Sequence, residues 1–262
     1  MATTTSRARV PLGQEKVVIA RSGNLCAYPA CGAELVFAAE AEGDQPKVVG
    51  KVAHIAAASP GGPRYDASMS DIQRGSAENL IYLCGPHHDA IDSQLEKHTA
   101  AFLRDAKTAH ESAVARAVKS ALGNVTYEEL GVICGAISSA PNPSEPTPVE
   151  LALPIQDKIA LNNLGQISAE RISAGLSQAS RVAAFIAFQQ QTAPNFGKTL
   201  VSRFKADYFA AEAEGLDADG IFDSLVLTAY DNSGPRATSA VQAAALAVVA
   251  YLFEICEIFR RE

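Results

Sequence analysis

The side chains best suited to chemistry in this chain are three thiols and three imidazoles: Cys26, Cys31, Cys84, His54, His87 and His88. Cys26 and Cys31 flank a short loop in which Pro29 and Gly32 favour a tight knuckle, turning both sulfurs toward one point. Cys84-Gly-Pro-His87 forms a second pair with two residues between its members. Two such pairs supply the four thiolate and imidazole donors of a tetrahedral structural zinc site. The pairs are separated by 52 residues, more than a simple finger allows, so the ion would clamp a small domain. His88 is then left over, at the start of a helix and beside the clamp, available for catalysis.

The elements that must position these groups meet at Asn79–Asp92. Leu80, Ile81 and Leu83 read as a short buried strand that Cys84 ends; Gly85 and Pro86 turn the chain, and a helix starts near His87. Upstream, Gln14–Ala20 reads as a helix and Ser22-Gly23-Asn24 as a turn. Glu34–Ala38 and the β-rich run Lys47–Ile55, separated by an acidic turn over Ala39–Gln45, read as a hairpin that delivers His54 at its end. Ala56–Ser76 is a long connection holding Arg64 and Asp66, and loops of this length are often functional. Thr99–Leu122 carries helical apolar spacing. His98 and His110 read as surface residues, Cys134 and Cys256 as small buried apolar groups.

Beyond residue 122 the character changes. Ile133, Cys134 and Ile137 suggest a small helix, and Pro141, Pro143, Pro146, Pro148 and Pro154 then exclude helix across a linker. The rest reads as a helical bundle, with helices expected at 156–190, 194–214, 218–230 and 237–260. The last is apolar nearly all round and belongs at the centre. The expected organisation is therefore residues 1–122, a linker over 123–154, and a helical domain over 155–262.

The net charge of −7 is unevenly placed. Residues 1–122 hold 13 basic and 13 acidic residues, and residues 123–262 hold 9 and 16. The neutral first part can carry a basic face built from Arg7, Arg9, Lys16, Arg21, Lys47, Lys51, Arg64 and Arg74, or these can be scattered solvated charges. No apolar run is long enough to span a membrane, the N-terminus lacks a signal-peptide core, and five cysteines, an odd number with three in metal-like spacing, fit a reducing cytoplasm. The absence of a Gly-x-x-x-x-Gly-Lys-Ser/Thr loop excludes that type of ATPase.

Several short motifs in order carry a resemblance: Ser22-Gly-Asn-Leu-Cys26, Ala53-His54-Ile55, Gly61-Gly-Pro-Arg-Tyr-Asp66, Glu78-Asn-Leu-Ile81, and Leu83-Cys-Gly-Pro-His-His88 with Ile91-Asp92. Residues 21–92 resemble an HNH (ββα-metal) endonuclease domain. The resemblance implies that His54 is the general base, that His88 holds one Mg²⁺ or Mn²⁺, and that Asn79 binds the cation or braces the loop carrying His54. Many members place an acidic residue just before the first His; this chain has Ala53, and Asp66 is the candidate replacement, with Arg64 a candidate substrate contact, the alternative for both being an ion pair within the loop. Asp92 is expected to cap or brace the helix. A second resemblance rests on Lys158-Ile-Ala-Leu-Asn162, Tyr208, Ile221-Phe222 and Tyr251–Phe259. These are similar to the C-terminal domain of effectors in bacterial ABC-three-component defence systems, which implies an ABC-type ATPase and a small middle component as partners.

Together these readings give an α+β protein: a zinc-stabilised ββα-metal domain followed by an all-α bundle that docks to other proteins. The expected activity is hydrolysis of DNA phosphodiester bonds. The rival is a non-catalytic zinc-stabilised DNA-binding or scaffold protein, which Ala53 favours. RNA as substrate, nicking of one strand, and homo-oligomerisation are left open by the sequence.

Overall fold

In a computed structural model, residues 10–37, 47–139, 154–231 and 238–256 are described. The chain is mostly helical and divides into two compact units, Met1–Ala115 and Arg116–Glu262.

The first unit opens with α1 (Leu12–Ser22), which buries Val17 and Val18 and ends at Gly23 in the left-handed region. Its turn continues through Asn24 (φ 58°), a residue type that tolerates this conformation. β1 (Val36–Phe37) and β2 (Lys47–Val48) pair antiparallel, as the hairpin reading expects, while the acidic turn assigned to 39–45 lies outside the described residues. The β-rich run is not one strand. It breaks at Val49-Gly50 and resumes as β3 (Lys51–His54). Gly50 lies against the Tyr82 ring, where a Cβ would come within 2.2 Å of Cζ and Oη, so any other residue would have to displace that buried ring.

α2 (Asp71–Gly75) is started by a reciprocal capping box between Ser70 and Gln73. β4 (Leu80–Leu83) pairs antiparallel with β3, placing Lys51 opposite Leu83 and His54 opposite Leu80. All four β4 residues are buried, which explains the continuous apolar run. Cys84 caps α3 (Gly85–Ser93), where Pro86 is tolerated in the first turn because its missing N–H has no helical partner there. α4 (Ala100–Ala121) follows.

The second unit contains α5 (Tyr127–Ser139), α6 (Ile155–Leu161), α7 (Gln166–Leu176), α8 (Ala179–Gln190), α9 (Phe196–Ala213), α10 (Ala218–Asp231) and α11 (Ser239–Ile255). α5 occupies the first part of the span assigned to the linker and packs on α9, α10 and α11; Pro141 to Pro148 lie outside the described residues. α11 is buried at almost every position from Val241 to Phe253 and packs on α5, α7, α8 and α10, the central place its apolar surface demands.

The helix expected over 156–190 is three helices. Asn163 (φ 52°) and Gly165 interrupt it, and the Gly165 N–H is held by the Asp219 carboxylate at 3.0 and 3.2 Å. A second break falls at Ser177-Gln178. Two charged groups are taken inside. Lys158 donates to the carbonyls of Phe253 and Cys256 at the end of α11, and Asp223 accepts from Arg171. Lys158 is thus hydrogen-bonded and Asp223 is paired with an opposite charge, each offsetting the cost of burial. No helix among the described residues is long and apolar enough to cross a membrane.

Candidate metal centre and active site

β3 and β4 bring the two halves of the Cys/His set together. β4 ends at Leu83, so Cys84 and His87 emerge at the head of α3, and the backbone N–H of Ala27 bonds to Tyr82 O at 2.9 Å, docking the first knuckle on the same strand. The donor atoms of Cys26, Cys31, Cys84 and His87 all lie within 4.8 Å of one another. A tetrahedral zinc with bonds of about 2.3 Å to sulfur sets its ligands about 3.8 Å apart, so the group fits such an ion. His87 Nδ1 faces the sulfurs, 3.2 Å from Cys84 Sγ and 3.7 Å from Cys26 Sγ. The Cys84 N–H points at Cys26 Sγ from 3.3 Å, a contact that stabilises a thiolate. Burial pushes the Cys26 thiol up to about 12, and the charge of a bound metal would favour its thiolate. These four residues are the only group of three or more potential ligands of this kind among the described residues.

The remaining residues singled out from the sequence occupy distinct places. His54 is half-buried at the end of β3. His88 lies in the first turn of α3, its Nδ1 at 3.2 Å from Asp89 Oδ1, and Lys51 Nζ reaches the same oxygen at 3.5 Å. The His88 hydrogen bond and then the Lys51 charge hold the Asp89 carboxyl below its usual range. Asp89, not Asp66, is thus the carboxylate bonded to His88. Asp66 closes a turn on Ser68, accepting from its N–H at 2.9 Å and its hydroxyl at 2.6 Å, bonds that hold its carboxyl low.

Asn79 is buried, and its carboxamide is committed to backbone. Oδ1 accepts from Ala56 N at 3.0 Å, while Nδ2 donates to Ala56 O and Arg74 O at 2.9 Å each. Of the two roles the resemblance allows Asn79, the contacts fit the brace: they fix the chain two residues beyond His54. Arg64 is likewise turned inward. Its guanidinium donates to the carbonyls of His54, Ile55, Ile91 and His98 and pairs with Asp92. The planar donor fork of Arg64, a candidate substrate contact from sequence, is occupied here by protein acceptors, and its carboxylate partner is Asp92, not Asp66. Ala53 is buried opposite Ile81, so a carboxylate at this position would be drawn into the core.

Two residues outside the expected set support the metal cluster. The Tyr28 ring stacks on His87, and its hydroxyl lies 3.1 Å from His98 Nε2. His98 is 1% exposed, against the surface position expected from sequence, and its Nδ1 donates to Gln94 O at 3.1 Å. That bond leaves Nε2 to accept from Tyr28. An aromatic residue inside the Cys26–Cys31 knuckle was the available sequence signal; nothing local marks His98 as its partner.

The fold and site define a protein whose first unit carries a Cys/His cluster that could hold a metal ion and whose second unit is helical. The family model for C-terminal domain 10 of the ABC-three component (ABC-3C) systems matches residues 128–260, just over half of the chain, and the chain belongs to that family. No curated protein matches it.

Proposed function

We propose that this chain is a metal-dependent endonuclease of the HNH type, acting on DNA as the effector component of an ABC-3C antiviral defence system. The observation that carries the reading is the order β3–β4–α3, with His54 closing β3, Asn79 bracing the chain just beyond it, and His88 in the first turn of α3.

Each side chain then has a task. His54 takes a proton from water as the water oxygen forms a bond to the scissile phosphorus; the bond to the 3′ oxygen breaks, and solvent returns a proton to that oxygen. His88 donates through Nδ1 to Asp89, which leaves the Nε2 lone pair for a divalent cation, the arrangement usual for metal-binding imidazoles. His88 would hold Mg²⁺ or Mn²⁺, which would supply charge stabilisation at the phosphate and the departing oxygen. Cys26, Cys31, Cys84 and His87 fit a structural zinc ion that holds the head of α3 against the first knuckle. The second unit docks to the other system components, an ABC-type ATPase and a small middle component.

Supercoiled plasmid incubated with the protein and Mg²⁺ or Mn²⁺ tests the reading, beside His54→Ala and His88→Ala. Cleavage by wild type and loss of at least 100-fold in both variants is expected, on the order reported for general-base and metal-positioning groups. Buried Ala53 favours a second reading, a zinc-stabilised scaffold without catalysis. A scaffold keeps its biological effect in His54→Ala, whereas a nuclease loses it. If wild type is inactive alone, adding the ATPase and middle component distinguishes an inert module from an enzyme held in check.

A further inference from the structure

We infer that Arg64 is a positioning residue, which sets His54 in register with the helix that carries His87 and His88. The inference rests on the nuclease reading for what His54 does, but its geometry stands apart from that reading. Arg64 joins two pieces of chain that share no strand pairing. On one side its Nε donates to Ile55 O at 2.7 Å and one terminal nitrogen approaches His54 O at 3.4 Å. On the other side it donates to Ile91 O and His98 O, beyond the metal ligands on α3. The guanidinium therefore links the end of β3 to the far end of α3 through backbone carbonyls.

The side chain is 6% exposed, and Asp92, 46% exposed, closes the outer edge of the fork at 2.7 Å. Its backbone also departs from the ordinary: Arg64 has φ 55°, a left-handed conformation that strains a non-glycine residue. Such strain persists where the surroundings over-determine it. The bond from Ala57 N to Pro63 O, 3.0 Å, closes the loop that delivers Arg64 back to the strand end it left. A lysine keeps the charge and can reach Asp92, but it cannot present a planar fork to carbonyls on both sides. A phosphate contact would need a guanidinium edge free for substrate, and the protein acceptors around Arg64 argue against that.

The test uses Arg64→Lys in the full chain, with zinc content, cleavage kinetics across DNA and salt concentration, and imidazole ¹⁵N spectra of the histidines. Expected are unchanged zinc content, a kcat lowered on the order of 10- to 100-fold, unchanged KM and salt dependence, and displaced His54 ring resonances with His110 unmoved. A raised KM with a salt slope reduced by about one, and His54 resonances in place, would make Arg64 a phosphate contact and overturn the inference. A lower melting temperature with kcat and His54 resonances unchanged would overturn it as well, leaving only a structural brace. If wild-type protein with its partner components cleaves no DNA, the nuclease reading fails, and the His54 resonances alone decide the inference.

Discussion

The Tyr28 ring lies flat on the His87 imidazole, with centroids 3.9 Å apart and planes 6° from parallel. The contact fixes the orientation of the one nitrogen donor in the metal cluster, and the Tyr28 hydroxyl is itself anchored on buried His98. Groups that orient a ligand in this way typically carry 10- to 100-fold in metal affinity. Tyr28→Ala is accordingly expected to weaken zinc binding by about that factor, measured by competition with a chromophoric chelator. Tyr28→Phe keeps the stack but strands His98 Nε2 without its donor. It should hold zinc nearly as tightly while losing about 1–3 kcal/mol of stability in urea. Equal zinc affinity in wild type and Tyr28→Ala would show that the stack orients nothing.

Gly175 on α7 faces α11 so closely that an added Cβ would lie 2.7 Å from Ala250 Cβ and 2.8 Å from Leu246 O. Gly-to-Ala in a helix interior ordinarily gains about 1 kcal/mol. Here the neighbouring atoms are a short side chain and a carbonyl, neither of which can swing aside, so the sign reverses. Gly175→Ala is expected to cost about 1–3 kcal/mol by overpacking. Thermal unfolding followed by circular dichroism reads the result, and an unchanged or raised melting temperature would refute the close contact.

What the sequence disclosed follows from how local each interaction is. The Cys/His cluster was legible because each pair lies within a few residues and Pro29, Gly32, Gly85 and Pro86 announce the turns that aim it. The central place of α11 was legible from its unbroken apolar surface. The inward turn of Arg64 was hidden, because four of its acceptors are backbone carbonyls, which every residue possesses. His98 was misplaced on the surface because its partner Tyr28 is 70 positions away. The break after α6 was missed for the same reason: the carboxylate that holds Gly165 comes from Asp219, 54 positions along. α5 was only partly seen, since the Pro-rich run after it drew the whole span into a linker.

Lys158 is buried at 1% exposure, with its ammonium on the carbonyls of Phe253 and Cys256 and 4.9 Å from the Phe253 ring centre. It supplies donors to the last turn of α11, where helix carbonyls lack partners and the helix dipole favours a cation. Lys158→Met keeps the apolar stem and removes the charge. The expected loss is about 1.5–3 kcal/mol, the range for hydrogen bonds from a charged donor. Urea unfolding of the full chain, followed by helical circular dichroism, measures it. A neutral result would mean that water serves those carbonyls equally well.

Glu129 ties the start of α5 in a reciprocal cap, and it gives the second unit a defined response to acid. Its Oε2 accepts from the Thr126 N–H at 2.8 Å and from the Thr126 hydroxyl, while that hydroxyl accepts from Glu128 N at 3.2 Å. The bond from the Thr126 hydroxyl, foremost among these, holds the Glu129 carboxyl below its usual value of 4.5. The native state therefore binds this proton less readily than the unfolded chain does. The cap's contribution is complete above the unfolded value and is lost as pH falls through the lower native one. Glu129→Gln removes that titration, and Thr126→Ala removes the cap itself at a cost of about 1 kcal/mol. Urea midpoints recorded from about pH 6 to about pH 3 should fall more steeply for wild type than for Glu129→Gln, the two curves converging at the acid end. Parallel curves would place the cap's strength in the Thr126 hydroxyl alone.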